Sequence, residues 1–66
     1  MINLNKNELI LKLEEKLEKN GYRMEFFNLL AGVEYIIECN NFLNEYTIEN
    51  YIKDTIENYP ELLIEI

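Results

Sequence analysis

Apolar residues recur every fourth position near the start of the chain, with Leu9, Leu13 and Leu17 in register, Ile10 beside them, and Lys12, Glu15, Lys16, Glu18 and Lys19 on the other face. This is the stripe of an amphipathic helix. Asn5 stands at the N-cap position with Glu8 three residues later, and Leu4 and Leu9 have the spacing of a hydrophobic staple. Asn20-Gly21 supplies the stop, because glycine adopts the left-handed conformation at no Cβ cost. The spacing predicts a helix over residues 6–20.

After Gly21 the period changes. Tyr22, Met24 and Phe26 alternate with Arg23 and Glu25, and beyond a break at residues 28–32, Val33, Tyr35 and Ile37 alternate in part with Glu34 and Glu38. This two-residue period predicts a hairpin. The competing reading is a single helix over residues 23–39, since Phe26, Leu30, Val33 and Ile37 also have helical spacing. Against it stand Gly32 in the helix interior, at a cost of about 1 kcal/mol, and a β-branched and aromatic content suited to strands.

Thr47 has the features of a second N-cap, with Tyr46 and Tyr51 as its staple. Ile48, Ile52 and Ile56 form the apolar stripe, widened by Tyr51 and Tyr59, and Pro60 ends the helix. Residues 62–66 read as a third strand. The expected architecture is α+β, a two-layer sandwich in the order helix-strand-strand-helix-strand, with a three-stranded mixed sheet and two helices on one face. The alternative is an all-α three-helix bundle.

Length restricts these 66 residues to a single domain, residues 1–66. A chain this short buries only about 60% of the surface its unfolded form exposes, so a partner or a second copy would add stability. With 48% hydrophobic residues the composition is that of a folding chain rather than a disordered one.

The absent residue types narrow function most. The chain has no His, Ser, Trp or Gln, a single thiol at Cys39, and aliphatic hydroxyls at Thr47 and Thr55 alone. Without an imidazole there is no Ser-His or Cys-His nucleophile. One cysteine anchors neither a zinc site nor an intramolecular disulfide, and no Asp-rich calcium loop occurs. The expectation is a protein without enzymatic activity, cofactor or metal. The N-terminal residues lack a signal-peptide pattern and no run is long enough for a membrane span, so a cytoplasmic location is expected.

Net charge is −7, and it is uneven: residues 1–23 hold five basic and four acidic side chains, whereas residues 24–66 hold one lysine and nine acids. So few basic residues argue against direct nucleic-acid binding. An acidic face instead suits a basic protein partner. Glu45, Glu49, Asp54, Glu57 and Glu61 are the expected electrostatic contacts. A second expected surface is apolar: in the sandwich, Phe27, Leu29, Ile36 and Leu63 point away from the helices, rimmed by Glu25, Glu34, Glu38 and Glu65.

In size, acidity and lack of catalytic residues the chain resembles the small anti-defence proteins of phages, among them anti-CRISPR proteins, and some immunity or antitoxin proteins. That likeness is one of class, carried by no motif. It implies an inhibitor that occupies a basic groove of a nucleic-acid-handling protein, such as a nuclease or CRISPR effector. The alternative is a homo-oligomeric structural or regulatory module, a homodimer in its simplest form, joined through the apolar residues.

Overall fold

A computed structural model describes residues 5–43 and 46–66. Helix α1 spans Lys6–Lys19, and the Asn5 side chain accepts a hydrogen bond from the Glu8 amide at 2.8 Å, satisfying one of the orphan donors of the first turn. Leu9, Leu13 and Leu17 are buried, as their spacing requires. The helix stops at Asn20, and Gly21 follows with φ of 85°, in the left-handed region. Leu4, the outer half of the expected staple, lies outside the described residues.

Helix α2 spans Phe26–Leu43 and overturns the hairpin. The α+β sandwich is thereby replaced by three helices with a two-stranded ribbon, close to the all-helical alternative. Two features explain the outcome. Leu29, Val33 and Ile36 are buried on one face at spacings of four and three, whereas Tyr35 and Ile37, which alternation would have placed beside Val33, are exposed. Gly32, the residue that argued against a helix, is needed there: a Cβ on it would lie 2.6 Å from the Tyr51 hydroxyl oxygen and 2.8 Å from Tyr51 Cζ. The propensity cost is offset by close approach of a buried aromatic ring.

Helix α3 spans Ile48–Asn58 and is capped by Thr47, whose side chain accepts from the Asn50 amide at 3.1 Å. Ile48, Tyr51, Ile52 and Thr55 are buried, while Ile56, expected in the stripe, is exposed. The helix ends at Tyr59, before a single 3-10 turn over Pro60–Leu62.

The expected strands shrink to β1, Tyr22–Arg23, and β2, Ile64–Glu65, paired antiparallel with Tyr22 opposite Glu65 and Arg23 opposite Ile64. The Ile66 amide adds a bond to the Gly21 carbonyl at 3.0 Å. This ribbon ties the C-terminal residues to the end of α1. The core joins Leu13 and Leu17 of α1, Val33 of α2 and Ile52 of α3.

Candidate functional site

The acidic residues of α3 face two different surroundings. Glu49, Asp54, Glu57 and Glu61 are all exposed, and Glu45 lies outside the described residues. Glu49 and Glu57 line a groove of about 380 Å³ between α1 and α3, which Lys16, Lys19 and Lys53 also enter. Lys16 Nζ lies 2.5 Å from Glu49 Oε1, and hydrogen bonding to that ammonium, with the helix-start amide second, holds the Glu49 carboxyl below its ordinary value. This groove is therefore of mixed charge. Glu61 sits in the 3-10 turn after α3.

Asp54 belongs instead to a groove of about 530 Å³ between α2 and α3. Tyr35 of α2, Tyr46 ahead of α3, Tyr51 within it and Tyr59 at its end line this groove, and among the described residues Asp54 is its one charged lining residue. The Tyr35 and Tyr46 rings meet edge to face, with centroids 5.7 Å apart and planes at 84°; Tyr51 is 6.2 Å from Tyr35. The Tyr46 hydroxyl donates to Asp54 Oδ2 at 2.6 Å. Burial, and then this bond to a carboxylate, raise the Tyr46 hydroxyl well above its ordinary value of 10.0. Hydrogen bonding and charge interaction with Cys39 push the Tyr35 hydroxyl in the same direction.

The walls of the groove are held from below. The Asn40 side-chain amide donates to the Ile36 carbonyl at 2.9 Å and to the Tyr46 carbonyl at 2.6 Å, so α2 directly positions the residue that enters α3. Thr55, 2% exposed, donates its hydroxyl to the Tyr51 carbonyl at 2.8 Å.

The apolar surface expected on the outer sheet face does not form, because that sheet is absent. Leu29 and Ile36 are core residues of α2, and Leu63 is half-buried against the same core. Phe27 remains, at 81% exposure, with its ring edge to face with Phe26 at 6.3 Å.

Linear spacing does not bring the tyrosine groove together: it places Tyr35 in a hairpin strand and Tyr46 and Tyr51 in a staple. Its signal was the choice of tyrosine over phenylalanine at these positions, since a phenolic hydroxyl needs a polar partner or water.

Among the described residues there is no group of three or more His, Cys, Asp or Glu able to hold a metal ion. No helix of these residues is long and apolar enough to cross a membrane. No protein-family model, curated protein sequence or solved structure matches the chain.

Proposed function

We propose that this chain is a small acidic inhibitor that acts without catalysis, in the cytoplasm, by occupying a basic groove of a nucleic-acid-handling protein such as a nuclease or CRISPR effector. The observation that carries the reading is the charge of its C-terminal third: residues 46–66 hold five acids and one lysine, and all six of these side chains are exposed. Such a field accelerates encounter with a positive surface and competes with phosphate for it.

The test is affinity capture from a bacterial lysate at about 0.05 M and 0.5 M salt, where the Debye length falls from about 14 Å to about 4 Å. A recovered nuclease is then assayed for cleavage with the chain added. Capture at low salt, release at high salt and inhibition of cleavage are expected. The variant Glu57→Lys/Glu61→Lys spares the Lys16–Glu49 pair and lowers the association rate and its salt dependence. An unchanged association rate for this variant would remove the acidic-face reading.

A second reading, a homodimeric module, is favoured by the exposed Phe26–Phe27 pair alone. It requires a dimeric mass that Phe27→Glu converts to monomer; a monomer at the outset excludes it.

A further inference from the structure

The groove between α2 and α3 is lined by four of the chain's five tyrosines and, among the described residues, by one charged side chain, Asp54. We infer that it is a binding site for a cationic side chain, and that its occupant is an arginine of a basic protein partner.

Three features select this occupant. The faces of aromatic rings attract a cation held within about 6 Å of the centroid. Tyr35 and Tyr46 stand nearly perpendicular, so their rings form a corner rather than a flat wall, and Tyr35 and Tyr59 are about half exposed and open to an incoming group. Secondly, a carboxylate offers about four lone-pair sites, of which the Tyr46 hydroxyl occupies one on Asp54 Oδ2. That leaves acceptor capacity for a guanidinium at the edge of the aromatic corner.

The third feature is the match between this pairing and guanidinium itself. A planar, weakly hydrated guanidinium stacks on rings while its donors engage a carboxylate, whereas an ammonium is a compact and strongly hydrated charge. A volume of about 530 Å³ admits the whole side chain with its adjoining backbone. The corner is built before the ligand arrives, because Asn40 fixes the Tyr46 backbone and Asp54 fixes its hydroxyl. Little conformational freedom is then lost on binding.

That the arginine belongs to a nucleic-acid-handling protein rests on the proposed function; the preference of the groove for guanidinium does not. The probe is the peptide acetyl-Gly-Arg-Gly-amide, titrated into the isotope-labelled full chain and followed by amide chemical shifts. Its lysine counterpart and its citrulline counterpart, which is neutral and nearly isosteric with arginine, are the two control arms.

Saturable shifts at Tyr35, Tyr46, Asp54 and Tyr59 are expected, with millimolar affinity for the arginine peptide, weaker binding of lysine and none of citrulline. Asp54→Asn keeps an acceptor for the Tyr46 hydroxyl and weakens binding about tenfold, the scale of one charge-assisted contact. Tyr59→Leu removes an exposed ring and weakens binding by a smaller factor. Equal shifts with arginine and citrulline, preference for lysine, or shifts located away from the groove would each overturn the inference. Glu57→Lys/Glu61→Lys retains arginine-peptide binding while slowing capture of the nuclease. Failure of nuclease inhibition with the peptide result intact therefore removes the proposed function alone.

Discussion

Gly32 and Tyr51 are in such close apposition that the space where a Cβ would stand on Gly32 is filled by the phenol ring, with Tyr51 Cε2 at 2.9 Å from that position. The ring is buried and lines the tyrosine groove between α2 and α3. Alanine at position 32 gains about 1 kcal/mol of helix propensity, but overpacking a closed site costs typically 1–3 kcal/mol. Steric cost prevails.

Gly32→Ala is therefore expected to destabilise the chain by about 1 kcal/mol net, measured as a lowered urea midpoint at unchanged slope. In the background Tyr51→Leu, which removes the ring, the same substitution becomes neutral or stabilising. A stabilising effect in the wild-type background would show that the ring yields.

At Gly21, unlike Gly32, no atom of the described residues lies within 4 Å of where a Cβ would stand, but φ is 85°. Gly21→Ala is expected to cost about 1–2 kcal/mol, the penalty of a left-handed L-residue. Gly21→Asn, which tolerates that region better, costs less. Thermal unfolding of the two variants provides the comparison.

Asn40 bonds the carbonyls of Ile36 and Tyr46 from a single amide. Asn40→Ala removes both bonds and leaves the part-buried Tyr46 carbonyl without this donor, at a cost of about 1 kcal/mol. Hydrogen exchange should accelerate in the segment that carries Tyr46, while α1 amides keep their order of protection.

Alkaline pH acts through Tyr46. Its hydroxyl is raised above the ordinary 10.0 in the folded state, so the unfolded chain loses the phenolic proton first. The associated stability is complete below pH 10.0 and is lost as pH rises toward the raised folded value. Tyr46→Phe should flatten this limb of the stability curve, and a wild-type curve with no fall above pH 10.0 would contradict the assignment.

Acid acts through Glu49 in the opposite sense. The Glu49 carboxyl is depressed by Lys16, so its contribution is present above the unfolded value and disappears as pH falls through the folded one. The pair is solvent-exposed, with 42% and 62% of the two side chains accessible, which limits it to a few tenths of a kcal/mol. Lys16→Met should remove this small acid-sensitive part, measurable as a loss of pH dependence in the urea midpoint at low salt.

Helices α1 and α3 were legible in the chain because the forces that start and stop them act within four residues. Asn5 reaches the Glu8 amide, Thr47 reaches the Asn50 amide, Gly21 takes the left-handed turn and Pro60 follows the last turn of α3. The acidity of the second half and the lack of an imidazole were likewise properties of composition. Helix α2 was decided elsewhere. Its residues satisfy both a two-residue and a helical period, and the helix is favoured by tertiary burial of Leu29, Val33 and Ile36 and tolerated at Gly32 because Tyr51, nineteen positions away, packs into the space a Cβ would fill. Once α2 is helical, Leu29 and Ile36 turn inward, Thr55 displaces Ile56 from the core, and the C-terminal strand finds Tyr22–Arg23 as its antiparallel partner. The groove has the same origin: Tyr35, Tyr46, Tyr51 and Tyr59 converge only because two helices pack, and local periodicity contains no information about which faces meet.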